Sequence, residues 1–376
     1  MIDLKSILEQ GVAAGRAPGF SAAVLTRDGA RLTATAGARS VGDPSPVTDD
    51  TLFWIASCTK AITSVAALQL VERGVLSLDA PVGDMLPTLA APRVLTGFND
   101  AGEPILRPAT APITLHRLLT HTSGLGYDFA CEGLAKYLSV TGERLMGVTD
   151  PDIPLMFEPG ADWLYGIGID WAGRLVEAAS GQTLDSYFAE HIFAPLGMAE
   201  TTFFPNADQQ SRRATVHQKL PDGSFVAIPF GMPGKPHFMM GGGGLYSTAA
   251  DYLKFLGAMV AGGAPLLKPE TFAMMMANQV GDLGAGALKT TQPTLSRDFE
   301  PLPGVTKRWG LAGLLNTDPA PSGRSAGSLA WAGLANCYYW ADPVTAAAGI
   351  VLAQLFPFGD PGVLATFEAV ERAVYV

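Results

Sequence analysis

Two apolar, β-rich runs flank Arg27-Asp28-Gly29 within residues 19–37 (GFSAAVLTRDGARLTATAG), and an Asp-Gly pair between such runs predicts a hairpin. The next pattern is helical. From Thr59 to Arg73 (TKAITSVAALQLVER) apolar positions nearly surround the helix instead of forming one stripe, which predicts a buried central helix. Gly74 closes it, after a basic residue in the last turn. Residues 80–112 are rich in Pro and Gly and read as irregular. Helical spacing returns at 114–120, 168–180 and 183–194, with Gly181 closing one helix and Pro195-Leu196-Gly197 another. GGGGLYS at 241–247 reads as a turn before a helix at 248–261. Beyond it, the short apolar runs 327–341 and 347–356 read as strands, and a final helix covers 362–375.

Strands thus lie at both ends of the chain and helices fill its middle. The pattern predicts an α/β fold whose sheet is built from N- and C-terminal segments flanked by helices, with an inserted, mostly helical domain. On this division 1–79 and 205–376 form a discontinuous α/β domain, 80–204 is the insertion, and the active site lies between them. A chain of 376 residues has room for both parts. There is no internal repeat and no low-complexity linker.

Composition narrows the function classes. Apolar residues make up 48% and charged residues 16%, the balance of a globular chain. No apolar run is long enough to span a bilayer, and Met1-Ile2-Asp3-Leu4-Lys5 lacks the basic start of a signal peptide, so the expected location is cytoplasmic. The net charge of −10 without a basic stripe argues against nucleic acid as a partner. Cys58, Cys131 and Cys337 are odd in number and far apart, which suggests free thiols and neither a disulfide framework nor a zinc site.

Three stretches carry candidate chemistry. In Ser57-Cys58-Thr59-Lys60 the serine opens the buried helix and the lysine lies one turn on, on the same face. The helix N-terminus favours a developing oxyanion, and burial in an apolar helix disfavours a charged amine, which suits Lys60 to take a proton. No other lysine has a serine three residues before it. Tyr165 follows a Pro159-Gly160 break and directly precedes the next helix. It is either a core aromatic with a satisfied hydroxyl or a phenol that shuttles protons beside an ammonium. Trp331-Ala332-Gly333-Leu334 lies on a predicted strand, either as plain core or as an edge whose N–H completes an oxyanion hole.

In order and spacing these stretches resemble the three motifs of the β-lactamase/penicillin-binding-protein superfamily. LHRLLTHTSGL at 115–125, FEPG at 157–160, PLGM at 195–198 and GGGLYSTAAD at 242–251 match in the same order, so the resemblance covers roughly 10 to 375. It implies a β-lactamase-like fold with an antiparallel sheet. By the same resemblance Ser57 is the acylated nucleophile, Lys60 its partner base and Tyr165 the catalytic tyrosine of the class C branch. The backbone N–H groups of Ser57 and Leu334 form the oxyanion hole.

Two departures point away from β-lactams. Ile167 stands where the second motif ends in asparagine, and Trp331 replaces the lysine of Lys-Thr-Gly. A tryptophan offers apolar area and an indole donor where an ammonium would hold a carboxylate. Both changes resemble the class C-like (family VIII) carboxylesterases. The expected activity is hydrolysis of small carboxylic esters through a Ser57 acyl-enzyme, without cofactor or metal. Acyl transfer on the same residues is the near alternative. An amide or β-lactam hydrolase comes next, and then a non-catalytic binding protein. Substrate-binding residues are expected at Trp331, Ala332, Gly333, Tyr127 and Phe129, the last two from GYDFAC at 126–131. Oligomeric state is not legible.

Other motifs are set aside. Gly323-Arg324-Ser325-Ala326-Gly327 matches G-x-S-x-G but lacks the strand–turn–helix of a nucleophile elbow and reads as a loop. His116 and His121 are five apart, on different helix faces, so His121 is expected to fix the loop 120–125 and not to bind metal. The glycines at 241–244 fit close chain packing and not a nucleotide loop.

Overall fold

A computed structural model describes residues 2–145, 151–232 and 239–376. Its frame is an eight-stranded antiparallel sheet. The strands are β1 (Gly19–Leu25), β2 (Arg31–Ser40), β3 (Asp43–Pro46), β4 (Lys307–Trp309), β5 (Leu314–Asn316), β6 (Leu329–Gly333), β7 (Cys337–Asp342) and β8 (Ala347–Leu352). Their spatial order is β4-β5-β6-β7-β8-β1-β2-β3, so β8 from the C-terminal part pairs with β1 from the N-terminal part, Ala23 opposite Ile350. The predicted hairpin is β1–β2; Gly29 supplies the positive φ its turn needs and donates to Thr26 O at 2.9 Å.

Helices cover both faces, which is why β1, β7 and β8 are buried along their whole length. α1 (Leu4–Ala13) and the C-terminal α5 (Pro361–Tyr375) pack on one face, and α4 (Ala249–Val260) packs on β1, β7 and β8. Asp360 starts α5 by accepting from Gly362 N and Val363 N, and Thr248 starts α4 by accepting from Asp251 N. The predicted central helix is α2 (Thr59–Glu72), buried at every position from Thr59 to Leu70. It packs against α3 (Gly168–Ser180). Ile62, Leu118, Leu175 and Leu256 share one continuous core. No helix among the described residues is long and apolar enough to cross a membrane.

The structure corrects several element readings. Within 80–112, Arg93–Phe98 and Pro104–Pro108 pair as an antiparallel hairpin, with a register shift between Leu95 and Gly97 that broke the alternation in sequence. The run 327–341 is two strands, β6 and β7, because Asn336 turns the chain with φ 60°. The predicted helix 183–194 becomes Leu184–Phe188 followed by a π turn, Ala189–Phe193. Leu4–Ala13 and Pro269–Met275 are helices that the pattern did not suggest.

Candidate active site

Ser57 lies in the turn that feeds α2. Ala56 before it holds a left-handed φ of 44°, a conformation that persists in a non-glycine residue only when its surroundings dictate it. Ile55 N donates to Leu245 O at 3.0 Å and Trp54 Nε1 to Gly243 O at 2.7 Å. Thr59 Oγ1 donates to Ala56 O at 2.7 Å and accepts from Leu245 N at 3.2 Å. The glycine run 241–244 is therefore a close-packed brace for this turn. A Cβ on Gly242 would fall 2.3 Å from Asp170 Oδ2, so no larger residue fits there.

Lys60 is 1% exposed. Its Nζ lies 3.1 Å from Ser57 Oγ, 3.1 Å from the Tyr127 hydroxyl and 2.6 Å from Gly242 O. Tyr127 donates to Asp170 Oδ2 at 2.9 Å, and Asp170 Oδ1 accepts from Gly242 N at 2.9 Å. Burial pushes the Asp170 carboxyl up, and the nearby Lys60 charge opposes that shift. Burial first, and the Asp170 charge second, push the Tyr127 hydroxyl well above its ordinary value, so it stays a phenol.

Tyr165 is buried with its ring centroid 4.8 Å from Lys60 Nζ, and its hydroxyl accepts from Trp331 Nε1 at 3.1 Å. Its ring packs against His121, Tyr127 and Trp331 at 4.8, 5.3 and 5.0 Å between centroids. His121 O accepts from Leu164 N at 2.9 Å and His121 Nδ1 from Gly166 N at 3.4 Å. His121 thus clamps the residues on either side of Tyr165, where sequence suggested that it fixes its own loop. Burial holds His121 well below the usual histidine range, with the Lys60 charge adding to the effect, so its ring is neutral and can accept that N–H.

Trp331, Ala332 and Gly333 lie on β6, and Trp331 meets Trp309 edge-on at 4.7 Å. A Cβ on Gly333 would fall 2.2 Å from Ile55 O, so the strand runs directly against the Ser57 turn. Ser57 and Leu334 line a common cavity of about 370 Å³. Trp54, Phe129, Phe230, Leu288, Leu295 and Phe358 form much of its wall. Among the described residues Asp128 is the one charged side chain lining it, and it accepts from Gln292 Nε2 at 3.2 Å. The Tyr127 and Phe129 rings stack at 5.2 Å, and Thr291 N donates to Phe129 O at 2.9 Å, which pins this wall to the segment at 290–292.

The structure therefore brings Ser57, Tyr127, Phe129, Tyr165, Trp331, Ala332 and Leu334 around one cavity, with Lys60 buried 3.1 Å from Ser57 Oγ and Gly333 packed against the Ser57 turn. Sequence reasoning missed Asp170 and Gly242, and it placed Tyr127 in the wall alone. The available signal was Asp170 itself, an acid in the first turn of α3 among the buried Ile169, Trp171 and Ala172. Ile167 carries no polar side chain, and the carboxylate of the cluster comes instead from one turn further along α3. Ser325 does not line the cavity; its N–H donates to Asp342 Oδ2 at 2.8 Å, and neighbouring Arg324 forms a buried ion pair with Glu371 at 3.1 Å. His116 lies away from the cavity, 3.1 Å from Gln279 Oε1. Among the described residues no group of three or more His, Cys, Asp or Glu side chains is placed to hold a metal ion.

Comparison with known proteins agrees with this fold. Residues 4–373 match the family described as Beta-lactamase. The chain is 35% identical to a lovastatin esterase of Penicillium rubens, over 78% of this chain and 76% of that one. It is 32% identical to a monacolin J acid methylbutanoyltransferase of Aspergillus terreus, over 99% of this chain and 95% of that one. Among solved structures, a mutant of simvastatin synthase from Aspergillus terreus superposes with a TM-score of 0.85 at 31% identity, covering 99% of this chain and 96% of that chain.

Proposed function

The chain belongs to the Beta-lactamase family and is a serine hydrolase-type enzyme, and from that premise we propose that it is a serine esterase, cleaving carboxylic esters through an acyl-enzyme on Ser57. The observation that carries this reading is Lys60 Nζ, buried and 3.1 Å from the Oγ of Ser57, which lines a largely apolar cavity. As Ser57 attacks the ester carbonyl its proton passes to the Lys60–Tyr165 pair, and the carbonyl electrons move onto oxygen. The N–H groups of Ser57 and Leu334 serve that oxyanion. Collapse breaks the bond to the alcohol, which leaves with the proton. Water then enters by the same route and releases the acid. Ser57 and Trp331 come from the sheet-bearing segments and Tyr127, Tyr165 and Asp170 from 80–204, which supports an active site between the two parts.

An apolar wall suits an uncharged acyl or alcohol group, and none of the described residues lining it is a cation that would meet a β-lactam carboxylate. A second reading, acyl transfer to an alcohol in place of water, is favoured by the full-length similarity to a methylbutanoyltransferase. The test uses p-nitrophenyl esters from acetate to laurate and a chromogenic cephalosporin, with wild type and Ser57→Ala, in the presence and absence of an alcohol acceptor. Ser57-dependent release of nitrophenol with free acid as product supports the esterase. An acyl ester of the added alcohol as main product supports the transferase. Turnover unchanged in Ser57→Ala refutes both.

A further inference from the structure

The amine of Lys60 has a complete set of neighbours, and their chemistry dictates which way each hydrogen bond runs. The Gly242 carbonyl can only accept, so it takes one Lys60 N–H at 2.6 Å. The Asp170 carboxylate can only accept as well, and Gly242 N and the Tyr127 hydroxyl both point at it, each at 2.9 Å. Tyr127 has a single proton. With that proton committed to Asp170, its oxygen can only accept from Lys60, at 3.1 Å. To take the serine proton the amine must first be in its neutral form, which has two N–H bonds and one lone pair. Both N–H bonds are used, and the remaining direction faces Ser57 Oγ at 3.1 Å.

We propose that Asp170 is a positioning residue which, through Tyr127, orients the Lys60 amine so that its lone pair is aimed at Ser57. This rests on the esterase reading and says which group receives the serine proton. The Ser57 O–H bond breaks as an N–H bond forms on Lys60, the Oγ–carbonyl bond forms, and the carbonyl π pair moves onto oxygen. The resulting ammonium has an acceptor for each of its three protons: Ser57 Oγ, Tyr127 oxygen and Gly242 O. The scheme also works in reverse. Once Asp170 takes a proton on Oδ2, that oxygen becomes a donor to Tyr127, whose own proton then turns onto the Lys60 lone pair and closes it to Ser57. The other titratable groups at this cluster are Tyr165, with its ring 4.8 Å from Nζ, neutral His121 against that ring, and Asp128 beside Tyr127, bound to Gln292.

Asn at position 170 must turn its NH₂ towards either Gly242 N or Tyr127, so Asp170→Asn breaks the direction of the relay while keeping its shape. The experiment is the pH dependence of kcat and kcat/KM on p-nitrophenyl butyrate for wild type, Asp170→Asn and Tyr127→Phe, with thermal unfolding of each. Expected for both variants is a loss of about a hundredfold in kcat with little change in KM. Wild type is expected to show an acid limb, and the part of it set by protonation of Asp170 should be absent in Asp170→Asn. A variant that keeps wild-type kcat and an unaltered acid limb overturns the proposal. So does a fall in stability with the limb unchanged, which is the mark of a merely structural role. If Asp170→Asn does not fold, Tyr127→Phe decides alone. Labelling by a fluorophosphonate, read as a mass adduct, separates the two levels: without a Ser57 adduct in wild type the esterase reading fails and takes this proposal with it, whereas an adduct with unaffected variants sinks only the role of Asp170.

Discussion

The indole Nε1 of Trp331 donates a hydrogen bond to the Tyr165 hydroxyl at 3.1 Å. The third motif is thereby tied to the second across the cavity, and the donor that tryptophan offers in place of lysine is used inside the site, not kept for a substrate. Trp331→Phe keeps most of the ring packing against Trp309 and Tyr165 and removes only the donor. A neutral hydrogen bond contributes about 1 kcal/mol net, so kcat should fall roughly fivefold with a thermal midpoint close to wild type. Trp331→Lys loses the ring packing as well and should cost more ester turnover without cephalosporin cleavage in exchange. Steady-state kinetics with both substrates checks this.

Removing the proposed nucleophile is the most direct test of the site. Ser57→Ala should lower kcat on short p-nitrophenyl esters by about ten-thousandfold or more. Far-ultraviolet circular dichroism should be unchanged, because the Ser57 side chain is only half-buried and its turn is held by Thr59, Trp54 and Leu245.

Gly333 should tolerate no side chain. Its added Cβ would fall 2.2 Å from Ile55 O, which is backbone and cannot rotate away. In Gly333→Ala either β6 or the Ser57 turn must shift, and the two proposed oxyanion donors separate. Loss of one such donor costs about a hundredfold or more in kcat, and a fall of that size together with a lower thermal midpoint is expected. Wild-type kcat in this variant would mean that Leu334 N does not serve the oxyanion.

His121 makes stability depend on pH with a definite sign. Burial holds its folded-state value well below the ordinary histidine value of about 6.5. The unfolded chain therefore binds a proton that the folded chain refuses, so stability is full above 6.5 and falls as the pH drops below it. Urea denaturation between about pH 5 and 8 should show this slope, and His121→Asn should flatten it.

The cavity wall should set chain-length preference. Phe129 and Leu295 both line the cavity, and Phe129 stacks on Tyr127. Phe129→Ala and Leu295→Ala each open space at the wall, so the preferred acyl group should lengthen by about two carbons in a p-nitrophenyl ester series. An unchanged preference in both variants would place the acyl group elsewhere.

What sequence by itself determined here is local. The Asp28-Gly29 turn, the all-round apolar helix after Ser57 and the strand at Trp331 are dictated by residue spacing and turn chemistry over a few neighbours. Ser57 and Lys60 share a face because three residues make nearly one helical turn. The order of the motifs resembled one superfamily, and that resemblance implied Tyr165. Local patterns failed where pairing carried the element: the Arg93–Phe98 hairpin has a register shift, and the short strand Lys307–Trp309 is defined by its partner Leu314–Asn316.

Only the tertiary structure decided which hydrogen bonds close the site. Tyr127 and Gly242 lie 43 and 72 residues from Asp170 along the chain, yet each meets it in a single hydrogen bond. No period or spacing encodes that meeting. It follows from α3 packing on α2 while a glycine-lined segment passes close enough to expose its backbone to a buried carboxylate. A buried charge must find partners wherever the fold brings them, and the fold brought them to Lys60.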